Sequence, residues 1–69
     1  MILHQSTNFK ALADRIGGIA LEHINSGDSV YFQPGDDANT FRDSVEALEE
    51  VPEAKRDTIF DMIASNYFE

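Results

Sequence analysis

The sequence contains no cysteine, so neither disulfide bonds nor thiolate zinc sites can stabilise the fold. Its two histidines, His4 and His23, lie far apart in the sequence, which argues against a histidine zinc site as well. A chain of 69 residues buries a smaller fraction of its surface than a larger one and is marginally stable by itself. Because covalent and metal staples are absent, we expect a second copy of the chain to supply the missing burial, in a homodimer.

Long apolar segments are missing too. No hydrophobic run approaches the roughly 20 residues that a membrane span needs, and the first residues lack the basic and apolar regions of a secretory signal. The lack of cysteine suits a reducing compartment. These features predict a soluble, cytoplasmic protein that does not bind membranes.

Basic residues are scarce, because 5 Lys and Arg stand against 13 Asp and Glu and leave a net charge of −8. From residue 36 onward there are 10 acids and 3 bases, so this half carries −7 of the total. Phosphate backbones and anionic membranes should repel such a molecule. Direct binding to nucleic acid is therefore not expected, and the few Lys and Arg residues form no basic patch.

Residues 8 to 24 have the periodicity of an amphipathic helix, with apolar side chains at three- and four-residue spacing. Gly27 suits a left-handed C-terminal cap of this helix. Gly17 and Gly18 would lie inside it at a cost of roughly 1 kcal/mol each relative to Ala, so another element is expected to approach closely there. A phosphate-binding loop is disfavoured, because these glycines do not connect a strand to a helix.

Two short strands are predicted to flank this first helix. Residues 29 to 33 are β-branched and aromatic, lie between turn residues and end before Pro34, which lacks a backbone donor. Residues 1 to 4 are the second candidate. The two strands would form a two-stranded sheet whose free edges invite a partner strand.

The second half of the chain is predicted to be helical. Asp36 or Asp37 begins a helix, with Thr40 as an alternative start. Pro52 either kinks one long helix or lies in the first turn of a new one, and two helices in close sequence are the favoured interpretation. The predicted fold is a single α+β domain, residues 1–69, with the order β-α-β-α-α and a short two-stranded sheet.

Acidic residues of this half fall opposite the apolar stripe when the helical positions are projected down one axis. Neighbouring acids three or four residues apart lie about 5 to 6 Å from each other, comparable in scale with successive phosphates of a nucleic-acid strand. We therefore predict a partner-binding acidic surface, and the alternative is an ordinary solvated helix face. The predicted surface consists of Asp36, Asp37, Asp43, Glu46, Glu50, Glu53, Asp57 and Asp61.

Aromatic residues give a second signal for binding, because those near the end of the chain do not fit one narrow helical stripe. Some of them should be exposed or covered by another chain, and aromatic side chains are favoured interface anchors. The predicted interface consists of Tyr31, Phe32, Phe60, Tyr67 and Phe68.

No group of residues indicates an enzyme, a metal site or a bound cofactor. The Asp36-Asp37 pair beside Gly35 lacks the ligand spacing of a calcium loop, and helix capping is its simpler role. His23 is expected to pack on an apolar face. Neither a cysteine nor a serine elbow supplies a nucleophile.

These features predict a non-enzymatic inhibitor or regulator that presents an acidic helical surface to a basic partner protein, such as one that binds nucleic acid. In size and charge the chain resembles the small acidic DNA-mimic proteins of phages and plasmids, a resemblance of composition and charge pattern without a shared motif. The alternative is an adaptor or antitoxin-like module that binds through apolar and aromatic side chains, with the acids serving solubility.

Overall fold

A computed structural model of the chain describes residues 1–68, which form a four-stranded antiparallel sheet followed by two helices. The strands lie side by side in chain order, so each pairs with the next through a short connection. A 3-10 segment, Ala47–Glu50, separates the helices. The elements are β1 (Ile2–Gln5), β2 (Phe9–Ala13), β3 (Ile19–His23), β4 (Ser29–Phe32), α1 (Asp36–Glu46) and α2 (Glu53–Ser65).

The α+β class is confirmed, but the predicted β-α-β-α-α order and two-stranded sheet are wrong. The stretch predicted as the first helix, residues 8 to 24, contains β2 and β3 instead. Burial alternates along both strands, with Phe9 and Ala11 buried in β2 and Ile19 and Leu21 buried in β3. This period of two is that of a strand with one face in the core. The apolar residues on the other face and in the turn completed the three- and four-residue spacing that is typical of an amphipathic helix.

The turn between β2 and β3 explains the paired glycines. The Asp14 carboxylate accepts hydrogen bonds from the backbone N–H groups of Ile16, at 3.1 Å, and Gly18, at 2.8 Å, and so closes the turn. Gly17 has a φ of 95°, which L-residues with a side chain rarely adopt. Gly18 lies under the Tyr31 ring, where an added Cβ would lie 2.0 Å from the phenol oxygen.

Both helices pack on the same face of the sheet and bury one core. Phe41 of α1 and Phe60 of α2 are fully buried against the inward residues of the strands. Arg42 links α1 to the β2–β3 turn, because its guanidinium donates to the carbonyl of Gly17 at 3.1 Å. The core residues are Phe9, Ala11, Ile19, Leu21, Phe32, Ala38, Phe41, Val45, Leu48, Phe60 and Ala64.

The opposite face of the sheet is open, and its register aligns side chains of like character in two rows. One row is apolar, and its two ends are about half exposed, at 51% for Ile2 and 48% for Tyr31. The second row is polar. The apolar row runs Ile2, Leu12, Ala20, Tyr31, and the polar row runs Gln5, Lys10, Glu22, Ser29.

The prediction of two helices divided near Pro52 is confirmed. Val51 and Pro52 have extended backbone, with ψ values of 139° and 135°, so helical geometry is interrupted between Glu50 and Glu53. The two helices therefore do not share one projection axis. Within the described residues neither α1 nor α2 is long and apolar enough to cross a membrane.

Replacement of Gly17 distinguishes the hairpin from a helix over the same residues. Gly17→Ala should lower the free energy of unfolding by about 1 kcal/mol, because Ala is strained at positive φ. Gly17→Asn should lose less, since Asn tolerates this conformation better than Ala. Urea unfolding of both variants provides the measurement. A helix here would reverse the order and make Gly17→Ala more stable than the natural sequence.

Candidate partner-binding surface

Three carboxylates of α1 lie on the sides of the helix away from the buried Phe41. With 100° per residue, Asp36, Asp43 and Glu46 lie about 140° to 220° from the buried Phe41, and all three are exposed. Asp36 and the exposed Asp37 occupy the first turn of the helix, where the helix dipole favours negative charge. Gly35 is the N-cap residue, so neither aspartate has the capping position itself.

The corner between the helices continues this negative surface. Glu49 and Glu50 are exposed on the 3-10 segment, and Glu53 is exposed in the first turn of α2. Glu49 was not among the predicted site residues, because projection down one continuous helix axis placed it to the side of the acidic band. The change to 3-10 geometry and then to extended backbone removes that continuous axis.

We call the seven exposed carboxylates of α1, the corner and the first turn of α2 the acidic surface, within which Asp37 lies at the edge next to β4, beside Tyr31 and Tyr67. None of them makes a side-chain hydrogen bond or an ion pair with another residue in the range 1–68. The acidic surface consists of Asp36, Asp37, Asp43, Glu46, Glu49, Glu50 and Glu53.

The nearby arginines donate to main-chain carbonyls and to one side-chain amide oxygen, and not to carboxylates. Arg42 donates to the Asn39 side chain and to Gly17, as described, and Arg56 donates to the carbonyls of Val51, at 2.8 Å, and Glu49, at 3.1 Å. These bonds fix the ends and connections of the helices. No carboxylate of the acidic surface therefore has either of these arginines as a direct ion-pair partner.

The other two predicted acids, Asp57 and Asp61, follow Glu53 at four-residue spacing along α2, but they contact β1 and the following turn. Asp57 is exposed, and its carboxylate lies 2.9 Å from Nε2 of His4. Asp61 is half-buried and accepts hydrogen bonds from the Ser6 hydroxyl and, at 2.8 Å, from the Asn8 amide. These contacts hold α2 on the sheet, so the structure does not bring all eight predicted acids onto one face.

The five aromatic residues of the predicted interface differ in how deeply they are buried. Phe32 and Phe60 are buried in the core of this chain, and Phe68 packs beside Phe9 with the ring centroids 5.7 Å apart. Tyr67 is 41% exposed and lies edge-on against Phe32. Tyr31 lies on the open face of the sheet. Tyr31 and Tyr67 are therefore the two of these five residues that expose a large part of their surface.

Tyr31 forms a hydrogen bond with Asp14 that links β4 to the β2–β3 turn. Its hydroxyl donates to the second carboxylate oxygen of Asp14. This bond is the main cause that raises the pKa of Tyr31 above its ordinary value of 10.0, and burial and the charge of Asp14 act in the same direction. The same bond lowers the pKa of Asp14, together with the backbone N–H groups of the turn and against a smaller effect of burial.

Metal-binding and histidine-based sites receive no geometric support in the described residues. No group of three or more His, Asp or Glu side chains there could hold a metal ion. His4 lies against Phe60 and Asp57, and His23 stacks on Phe9 while its Nδ1 lies 2.8 Å from the Ser26 hydroxyl. Both rings have packing and hydrogen-bonding partners within the fold.

Comparison with known proteins adds no relative: no family model matches the chain, and no curated protein or solved structure is significantly similar to it.

Removal of the Asp61 carboxylate should destabilise the fold, whereas removal of a free carboxylate on the same helix should not. Asp61→Ala leaves Ser6 and Asn8 without their acceptor and should lower the free energy of unfolding by about 1 to 3 kcal/mol. Glu53→Ala should change it by less than about 0.5 kcal/mol. Chemical denaturation of both variants makes the comparison, and equal losses would contradict the assignment of different roles.

The Tyr31–Asp14 bond should be visible in the titration of the phenol. In a Tyr67→Phe background, where Tyr31 is the remaining tyrosine, Asp14→Asn should lower the pKa of Tyr31 toward 10.0. Ultraviolet absorbance of the phenolate against pH measures it. Asp28→Asn, which removes one charge from another turn, is the control and should leave the titration nearly unchanged.

The same bond makes the stability of the fold depend on pH in two ranges. Because the pKa of Tyr31 is raised in the folded chain, its contribution to stability is present below pH 10 and is lost as the pH rises through the raised pKa. Because the pKa of Asp14 is lowered, its contribution is present above pH 3.8 and is lost as the pH falls through the lowered pKa. Asp14→Asn should reduce the change of the free energy of unfolding with pH in both ranges.

Proposed function

We propose that the protein is a non-enzymatic inhibitor or regulator that binds a basic surface of a partner protein through its acidic surface. The observation that carries this proposal is the set of seven exposed carboxylates without a Lys or Arg partner in residues 1–68. A basic partner can pair with these groups without first breaking ion pairs inside this chain. Several charges that act together on a rigid element give a larger gain than one isolated surface pair.

The arrangement of the charges favours a partner that ordinarily binds a polyanion. Asp43 and Glu46 lie three residues apart on α1, about 5 to 6 Å from each other, and Asp36 lies two turns earlier on the same side. The corner extends the series to Glu49 and Glu50. A protein groove lined with Lys and Arg for phosphate contacts offers the matching charge pattern. The chain would occupy such a groove in place of nucleic acid.

The cost of the arrangement supports a role beyond solubility. Like charges three or four residues apart destabilise a helix by about 0.2 to 0.5 kcal/mol per pair. Asp43 and Glu46 form such a pair, and Glu46 with Glu50 form another in the helical run. Acids alternating with bases would keep the protein in solution without this cost. A binding function provides a reason to keep the charges together and unpaired.

Charge reversal at two positions tests the proposal against a change of net charge alone. Asp43→Lys/Glu46→Lys and the control Glu22→Lys/Asp28→Lys both move the net charge from −8 to −4, since each reversal adds two charges. Proteins captured from the native host at about 50 mM and about 500 mM NaCl are identified by mass spectrometry. We expect basic nucleic-acid-binding proteins, captured at low salt and released at high salt.

With the captured partner in hand, its affinity for each variant is measured directly. The α1 double reversal should weaken binding at least about tenfold, equivalent to about 1.4 kcal/mol, whereas the sheet double reversal should retain most of the affinity. Equal losses would assign the effect to net charge and contradict a defined surface. If binding ignores salt and both reversals but is abolished by Tyr67→Ala, the protein is instead an adaptor that binds through aromatic surface.

A further inference from the structure

The sheet has two edge strands, β1 and β4, and the backbone of β4 offers a regular row of free groups. Just before β4 the N–H of His23 donates to the carbonyl of Asp28 at 2.8 Å, and this bond fixes the hydrogen-bonding pattern with β3. Because bonded pairs alternate along an antiparallel ladder, Val30 bonds to β3, whereas the N–H and C=O groups of Ser29 and Tyr31 point to the free edge. In residues 1–68 neither backbone has a hydrogen-bond partner on that side.

The β1 edge is less suited to pairing with another strand. Its register with β2 shifts between Ile2 and His4, which is the mark of a β-bulge. A bulge interrupts the two-residue spacing of the outward groups and is a common protection of edge strands. β4 pairs with β3 without a shift and contains neither proline nor lysine. Of the two edges, β4 is therefore the one that can accept a further strand.

A groove of about 420 Å³ lies beside the β4 edge, between the strand and the helical side. It combines aromatic surface, from Phe32 and the partly exposed Tyr67, with the carboxylate of Asp37, which has no ion-pair partner in residues 1–68. A long side chain with an apolar stem and a cationic end can contact both. The groove is lined by Val30, Tyr31, Phe32, Asp37, Thr40 and Tyr67.

We propose that an extended segment of the basic partner adds to the β4 edge as a fifth strand and places Lys or Arg side chains in this groove, an inference that rests on the function proposed above. The backbone of the segment pairs with the free groups of Ser29 and Tyr31. Its side chains alternate between the two faces. Those on the helix side enter the groove and reach Asp37, and those on the open side extend the apolar row beyond Tyr31. The segment therefore alternates basic and apolar residues.

Charge favours a basic segment over a second copy of this chain as the added strand. Asp28 directly before β4, and Asp36 and Asp37 after it, place negative charge near both ends of the edge. Two β4 edges joined about a two-fold axis would bring these carboxylates together, in molecules that each carry a net charge of −8. The same carboxylates attract a strand that carries Lys or Arg.

Amide hydrogen exchange, measured by NMR on the full chain, tests the proposal with a synthetic probe, a capped peptide of about six alternating Arg and Val residues. The control is the same peptide methylated at every backbone nitrogen, which keeps the charge and removes the donors. In the free chain the amides of Ser29 and Tyr31 should exchange faster than those of Val30 and Phe32. Saturation with the probe should slow exchange at Ser29 and Tyr31 at least about tenfold, and the methylated peptide should bind at least about tenfold more weakly.

Two pairs of variants separate the backbone contact from the charge contact. Ser29→Pro removes one outward donor at the first residue of the strand, where proline is tolerated, and should weaken probe binding about three- to tenfold. Ser29→Ala keeps the donor and should bind like the natural chain. At about 150 mM NaCl, Asp37→Asn should weaken binding about threefold. Asp36→Asn also leaves a net charge of −7, and it should have less than about half that effect because Asp36 does not line the groove.

Equal binding of the two peptides overturns strand addition, and so does binding that leaves Ser29 and Tyr31 unprotected or a lack of binding at about 1 mM probe. Protection of these amides that grows with protein concentration, without probe, would assign the edge to a second copy and overturn it too. The exchange measurement uses the natural sequence, so it stands even if Ser29→Pro does not fold. None of these results contradicts the proposed function, which fails instead if captured partners ignore salt and the α1 double reversal.

Discussion

The architecture depends on the packing of both helices onto one face of the antiparallel sheet. Phe41 and Phe60 anchor the helices in the core, and the bonds from Arg42 and Arg56 to main-chain carbonyls fix their ends. Because the helices share one side, nearly all of the negative charge of the chain lies on that side as well. The opposite side exposes the sheet, with its apolar and polar rows.

The sequence allowed the helical half to be predicted but not the hairpins. Pro52 and the acidic residue at each helix start are local signals, and they correctly indicated two helices. In the first half, apolar residues at positions 9, 12, 13, 16, 19 and 20 satisfy helical spacing, although Leu12 and Ala20 lie on the open face of the sheet and Ile16 lies in a turn. The decisive signal was the turn sequence Asp14 to Gly18, in which an aspartate cap and a glycine at positive φ close a hairpin. The prediction that Gly17 and Gly18 lie inside a helix, where another element approaches closely, was therefore wrong.

The sequence identified the acidic residues as a group, but it did not show which of them stay unpaired and which contact β1 and the following turn. Projection down one axis treated Asp57 and Asp61 as equivalent to Asp43 and Glu46. The extended backbone at Pro52 changes the axis, and contacts with His4, Ser6 and Asn8 arise only when α2 packs against β1. The aromatic prediction depended on tertiary packing in the same way, since burial of Phe32 and Phe60 requires the full sheet.

Two outward parts of the helical side thus differ in charge. The acidic surface concentrates unpaired carboxylates on α1, the corner and the first turn of α2, and the side of α2 directed away from Phe60 has none. Salt screens the attraction between the acidic surface and a basic partner, so ionic strength tests the proposed interaction experimentally. The fold keeps both surfaces rigid because each lies on an element anchored in the shared core.

The most direct test of this account is the salt dependence of stability, measured by urea unfolding at a few micromolar protein, where the chain is expected to be monomeric. Unpaired carboxylates held close together should repel each other in the folded state. The free energy of unfolding should rise as NaCl increases from about 10 mM to about 300 mM, because salt screens that repulsion. A fall over the same range would indicate that the carboxylates are engaged in attractive pairs and would contradict it.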